Sequence, residues 1–255
     1  MKTIVENPSL YDLLYLDIRE DIEMYRGILK ESANILEFGA GTGRITIPLA
    51  KDGHNICAVD LSKEMLTGLK EKISSDPLLF KNIKPVLANM CSYQSNIKYD
   101  AVIIPLTSFN YLLTKEEQLA CLKSVRQALS SSGFAIIELL SKKTFLDTNQ
   151  SSDFTFVKRI SVDNNSYYDY YRITKLDFNS RTITQNRLFK YYKNNQYISS
   201  EEYLWNNRFV TVEDFTLLAN EVGLEIDEVY GNCQLEKYND ESEDVFVKVR
   251  GKNNE

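Results

Sequence analysis

The chain has 255 residues, 43% of them apolar and 26% charged, a profile that gives a soluble globular protein a full-sized core. Lys and Arg total 30 against 36 Asp and Glu, a formal charge of −6, which makes nucleic acid and anionic membranes poor default partners. The single histidine, His54, excludes two-histidine zinc sites and leaves any Ser-His-Asp or Cys-His chemistry dependent on one position.

In chain order, residues 9–31 carry apolar side chains at helical spacing (Leu10, Leu13, Leu14, Ile18, Ile22, Tyr25, Ile28, Leu29), which predicts one or two amphipathic helices. The short apolar run 34–38 then ends in Gly39-Ala40-Gly41-Thr42-Gly43, followed by a helical stretch to Ala50: strand, glycine turn, helix. Residues 52–55 form a turn holding His54, and 56–60 form a second strand ending in Asp60. Ser62 caps a helix to Ser74, with Met65, Leu66, Leu69 and Ile73 on one face. Strands are expected at 84–88, 100–105 and 134–139, and a helix at 115–130 that opens on Thr114 and Glu117, a capping-box spacing.

Short apolar strands alternating with helices predict a doubly wound, mostly parallel α/β sheet. From about 154 to 207 the period becomes two, with Asp/Asn/Ser/Lys turns, which predicts an inserted antiparallel meander of three or four strands. Helical spacing resumes at 212–219 and stops before Gly223, and strands at 224–230 and 244–250 complete a seven-stranded sheet. Eight of the 16 tyrosines fall within the meander: Tyr167, Tyr168, Tyr170, Tyr171, Tyr191, Tyr192, Tyr197 and Tyr203. They read as an aromatic platform for an acceptor or as ordinary strand formers, with a homodimer contact through the insertion as one use. Arg172, Arg187 and Arg208 in the same region suit a carboxylate or phosphate, or plain solvation.

The glycines stand at 39, 41 and 43 with Arg44 next, which breaks the Gly-x-Gly-x-x-Gly dinucleotide fingerprint and places a nicotinamide oxidoreductase last among the readings. What remains is a turn that lets backbone approach a ligand, and Asp60 at the end of the second strand, placed to accept both hydroxyls of a ribose. His54 precedes that strand, at the sheet edge opposite the glycine turn, and is not expected to touch substrate.

Glu37-Phe38-Gly39-Ala40-Gly41-Thr42-Gly43, Val59-Asp60-Leu61-Ser62 with Met65, Ala88-Asn89-Met90 and Asp100-Ala101-Val102-Ile103 resemble the successive motifs of class I S-adenosylmethionine-dependent methyltransferases. The likeness covers about residues 34–140. The later part is similar to small-molecule members with a β insertion, among them sugar N-methyltransferases. The resemblance implies a Rossmann-like domain at 34–150 and 208–255, an N-terminal helical lid at 1–33, and an insertion at 151–207 serving acceptor or dimer. It implies S-adenosylmethionine as cofactor and no metal. Gly39, Ala40 and Gly41 would line the methionine moiety, with Glu37 beneath them. Leu61 and Met65 would flank the adenine, Asn89 and Met90 match the family's acidic and apolar positions with the Asn89 carbonyl oxygen meeting the adenine amino group, and Pro105, Leu106 and Phe109 would close over the cofactor. Tyr11-Asp12 is similar to a pair on the family's lid, so Tyr11 would bind cofactor or acceptor. Tyr11, Tyr15 and Asn110 are then the candidate catalytic residues, mainly by positioning. Asn110 and Tyr111 read equally as turn residues before Thr114.

Methyl transfer is an in-line displacement that depends chiefly on orientation, and an amine acceptor needs no base. The expectation is therefore a methyltransferase acting on a small molecule, at nitrogen more than oxygen. The alternatives are a macromolecular acceptor, protein or RNA, and a non-catalytic cofactor-binding module. Four scattered cysteines without a Cys-x-x-Cys pair, and an N-terminus without an apolar leader, suggest a cytoplasmic protein with no membrane role.

Overall fold

The computed structural model describes residues 2–15, 17–29 and 33–252. A seven-stranded sheet runs in the order β10 (Leu224–Tyr230), β11 (Asp244–Gly251), β5 (Leu129–Leu140), β4 (Tyr99–Ile104), β1 (Asn34–Phe38), β2 (Asn55–Asp60), β3 (Ile83–Leu87). Strands β1 to β5 are parallel, and β11 lies antiparallel between β5 and β10. The parallel strands read as continuous apolar runs because both faces are covered. Leu36, Phe38, Val102, Ile104, Ile137 and Val247 pack beneath α6 (Lys115–Ala128) and α8 (Val212–Glu221). Ile35, Ile56, Ala58, Ile103 and Phe246 pack on the other side, against α2 (Glu20–Ile28), α3 (Thr46–Lys51) and α4 (Lys63–Ile73).

The caps fall where the sequence places them. Ser62 accepts from the Met65 N–H, and Thr114 and Glu117 close a capping box. Two short helices lie outside the expected elements: α5 (Pro77–Asn82), capped by Asp76, and α7 (Lys142–Leu146), capped by Ser141. Each is under two turns, too short to show a helical period. Strand β5 starts five residues earlier than expected, and its pairing with β4 jumps from Leu129 to Phe134. Gly133 fits there because a Cβ would stand 2.8 Å from the Tyr99 carbonyl.

The insertion is a four-stranded antiparallel sheet: β6 (Thr155–Asp163), β7 (Ser166–Asp177), β8 (Thr182–Lys193) and β9 (Gln196–Arg208). Its inner face meets the N-terminal segment, where Ile4, Leu10 and Leu14 pack with Ile160, Tyr170, Phe189 and Tyr203. Helix α1 (Pro8–Leu14) therefore bridges the two sheets, whereas Ile22, Met24 and Tyr25 of α2 belong to the main core. The tyrosines divide between the faces. Tyr170 stacks on Phe189 inside, at 4.6 Å and 6°, while Tyr167 stacks on Tyr192 outside under the Arg159 guanidinium. None of the described helices is long and apolar enough to cross a membrane.

Candidate functional site

The cleft begins where strand order reverses, between β1 and β4, at the carboxyl edge where ligands bind in open α/β sheets. Gly39 has φ +73°, and a Cβ there would fall 2.6 Å from the Ser108 hydroxyl, so only glycine brings the turn against the loop after β4. Gly41, at φ +56°, donates its N–H to Asp60 Oδ2 at 2.8 Å, and Ser62 N–H donates to Oδ1 at 2.8 Å. The carboxylate at the tip of β2 is thus fixed in orientation by the glycine turn itself. Burial lifts the Asp60 carboxyl above its ordinary value, opposed by the Ser62, Gly41 and Leu61 amides.

The loop after β4 holds two non-glycine residues in the left-handed region, Leu106 (φ +50°) and Thr107 (φ +53°). Such strain persists where surroundings over-determine it, as at ligand-binding loops. Here Glu138 supplies the restraint by accepting the Leu106 N–H at 2.6 Å. In the sequence this acid is one charge near the end of an apolar strand, with no local signal of the loop it restrains. Glu37 lies under the glycine turn and accepts from the Thr46 hydroxyl. Arg44, the residue that breaks the dinucleotide fingerprint, forms a bidentate pair with Asp21 at 2.8 and 2.6 Å, so it ties α2 to the glycine turn.

Burial pushes both Glu37 and Glu138 from 4.5 up to about 8. The folded pKa is the higher, so the stability these groups contribute is complete below about pH 4.5 and is lost as pH rises through about 8. Urea unfolding of wild type should show stability declining across that window, and Glu37→Gln should flatten part of the decline. Equal slopes in the two proteins would refute the assignment.

Above the glycine turn lies α1. A Cβ on Gly41 would stand 3.9 Å from the Tyr11 ring, and Tyr11 and Tyr15 pack at 4.6 Å between ring centroids. Tyr15 accepts from Arg187 Nη1 at 3.2 Å, the Arg187 guanidinium lies 4.6 Å over the Trp205 ring, and Trp205 meets Tyr111 edge-on at 6.3 Å. A continuous chain of contacts thus runs from Asp60 through Gly41, Tyr11 and Tyr15 to Arg187, Trp205 and Tyr111. Burial, with Tyr15 adding to it, holds the Tyr11 phenol well above its ordinary value, and burial does the same for Tyr111. Both are neutral hydrogen-bonding groups at physiological pH and cannot act as phenolate bases.

The other expected residues divide. Leu61 is exposed beside Asp60, whereas Met65 is fully buried beneath it on α4. Ala40 is buried at the turn and Pro105 accepts the Ser108 N–H and hydroxyl through its carbonyl. Asn89 is exposed, and its Oδ1 accepts the Cys91 N–H at 2.8 Å, so that oxygen already closes its own turn; Met90 packs against the core. Phe109 has no exposed surface and packs edge-on to Phe215 at 5.4 Å, so it supports the loop from below and does not face the cleft.

Asn110 requires a correction. It is fully buried, its Nδ2 donates to the Arg208 carbonyl at 2.7 Å, and its Oδ1 accepts the Leu140 N–H at 2.9 Å. Both ends of the amide are committed to backbone at the points where the chain leaves for the insertion and returns, so Asn110 is a structural strut and not a catalytic group. His54 sits at the opposite edge of the sheet, where its Nδ1 accepts the Ala33 N–H.

Residues 35–133 match the family described as "Methyltransferase domain". A Bacillus subtilis protein, YqeM, that carries a provisional methyltransferase name is 34% identical over 139 residues, 51% of this chain and 54% of its own length. The dTDP-3-amino-3,4,6-trideoxy-alpha-D-glucopyranose N,N-dimethyltransferase of Streptomyces venezuelae is 26% identical over 142 residues, 52% of this chain and 57% of its own length. The chain spans about half the length of these curated relatives. Across the whole fold, an S-adenosylmethionine-dependent methyltransferase from Clostridium acetobutylicum superposes with a TM-score of 0.80 at 20% identity, covering 96% of this chain and 97% of that one. Residues 35–133 thus form a methyltransferase domain, and the chain as a whole shares the fold of the Clostridium acetobutylicum enzyme.

Proposed function

We propose that the chain transfers a methyl group from S-adenosylmethionine to a small-molecule acceptor, at nitrogen. The observation that carries this reading is the chain of contacts from the Asp60-anchored glycine turn, through Tyr11 and Tyr15, to Arg187 on the inner face of the insertion. The residues fit the cofactor. Asp60 presents an oriented carboxylate for ribose hydroxyls, exposed Leu61 beside it offers an apolar edge for a base, and the Gly39 turn lies against Ser108 of the loop after β4, where a compact zwitterionic end would lie. Bound S-adenosylmethionine supplies an electrophilic methyl group; the chain's own residues do the rest by positioning. Tyr11 and Tyr15 cover the glycine turn and limit water, and the insertion holds the acceptor against it.

Nitrogen is favoured because the groups that gather beyond the glycine turn are tyrosines, an arginine and a tryptophan, with His54 at the opposite edge of the sheet. An amine arriving unprotonated needs no base, whereas a hydroxyl does. The Streptomyces venezuelae relative is named as acting at nitrogen on a small amino sugar, which supports the same reading.

Saturation with S-adenosylhomocysteine at about 100 times its Kd should stabilise the fold by about 2.7 kcal/mol. For a chain of this size that is a rise in melting temperature of about 5–10 °C. No rise at saturating ligand would reject the cofactor assignment. Methyl transfer to amines over the matching alcohols, followed with labelled cofactor, tests the choice of nitrogen; preference for the alcohols would reverse it.

A further inference from the structure

Strand pairing places Arg172 of β7 directly opposite Arg187 of β8, on the same face as Tyr170 and Phe189, which is the face turned toward α1. Two cations directly opposite on one sheet face destabilise it unless something neutralises them. Arg187 is only 7% exposed. Its Nε donates to Gln185 Oε1 at 3.0 Å and its Nη1 to Tyr15, which leaves three of its five N–H donors without an acceptor among the described residues. Among the described residues neither Arg172 nor Arg187 has a carboxylate within 4.0 Å, whereas half-buried Arg44 is paired bidentately with Asp21. A buried, unpaired guanidinium is costly, and a ligand anion removes that cost. Farther along the same face, Thr174 opposite Gln185 and Asn207 opposite Ile183 are buried, and the Thr174 hydroxyl and both polar atoms of the Asn207 amide have no hydrogen-bond partner.

We propose that the acceptor is an anionic small molecule whose carboxylate or phosphate group docks on Arg187 and Arg172 on the inner face of the insertion. This rests on the methyltransferase reading for the word acceptor, and on the arginine pair alone for the anion. Arg187 binds the anion in its free guanidinium fork, Arg172 adds a second cation from the facing strand, and Trp205 fixes the Arg187 plane by stacking. Anchored there, the rest of the acceptor extends past Tyr15 toward the glycine turn, which sets the nucleophile by distance from its charged end. Thr174 and Asn207 are placed to meet neutral polar groups of the same molecule.

The test is a titration of the full chain with inorganic pyrophosphate and, separately, acetate, at constant ionic strength, with and without saturating S-adenosylhomocysteine. Unfolding temperature is the readout. One of the two anions should stabilise wild type saturably, and which one does so separates a phosphate-bearing acceptor from a carboxylate-bearing one. Arg172→Gln and Arg187→Gln should each raise the half-saturating concentration at least tenfold, Arg187→Lys less, with S-adenosylhomocysteine affinity kept in all three. If Arg187→Gln does not fold, half-buried Arg172→Gln decides. The absence of a saturable effect from either anion, or an Arg172→Gln titration matching wild type, overturns the proposal. Anion binding in a chain that never binds S-adenosylhomocysteine would instead reject the cofactor reading and keep the anion site.

Discussion

Asp60→Ala is expected to weaken S-adenosylhomocysteine binding by about 10²-fold or more. Two hydrogen bonds from ribose hydroxyls to a carboxylate are worth about 1.5–3 kcal/mol each, and every 1.4 kcal/mol is tenfold in affinity. The loss has a second source in the free protein. Asp60 accepts the Gly41 and Ser62 amides, so the alanine variant also releases the glycine turn and the first turn of α4 from their shared anchor. Asp60→Asn separates the two effects, because one amide oxygen still accepts a backbone N–H while the charge is gone. Its affinity should lie between those of wild type and Asp60→Ala. Calorimetric titration at neutral pH checks both, and an Asp60→Ala Kd within threefold of wild type would exclude the ribose role.

The other large effect concerns stability. Asn110→Leu keeps the side-chain volume but removes the fully buried amide that serves two backbone groups, so the Leu140 N–H and the Arg208 carbonyl lose their Asn110 partner. Each orphaned buried group costs about 1–3 kcal/mol, so the variant should lose about 2–6 kcal/mol in urea unfolding. A loss under about 1 kcal/mol would show that the strut is dispensable. Because the strut fastens both ends of the insertion to the main sheet, the same variant should loosen the insertion and raise the KM for acceptor. A purely catalytic asparagine would instead lower kcat with stability unchanged.

The expected strands and longer helices correspond closely to those observed, because a doubly wound sheet writes itself as apolar runs separated by capped amphipathic helices. Ser62, Thr114 and Gly223 stand at the positions their chemistry suggests. Asp60 and the glycine turn were legible for a similar reason, since both sit at strand ends whose direction the α/β alternation fixes. The elements that escaped were the short ones, α5 and α7, whose signals are a cap and a proline and not a period.

The site beyond the turn was less legible. Asn110 looked catalytic from its place after β4, and only the return of β9 beside it reveals that its amide is already spent on backbone. Glu138 looked like one more residue of a buried strand until the left-handed loop above it came into view. The tyrosine-rich stretch suggested one platform, yet alternation along β7 and β8 sends Tyr170 inward and Tyr167 and Tyr192 outward.

By itself, then, the sequence determined the sheet, the glycine turn and the acid that faces it, since these are set by local spacing and by the single direction in which parallel strands present their carboxyl ends. It also removed histidine from the chemistry, because the turn before β2 can only lie at the opposite edge. The tertiary structure decided which groups meet beyond the glycine turn. Tyr15, Arg187, Trp205 and Tyr111 are separated by up to 190 residues, and no periodicity encodes that a strand pairing will set Arg172 against Arg187 while the helix above supplies a hydroxyl and no carboxylate. Charge compensation is a property of what meets in space, and here what meets is a pair of cations with no carboxylate among the described residues to balance them.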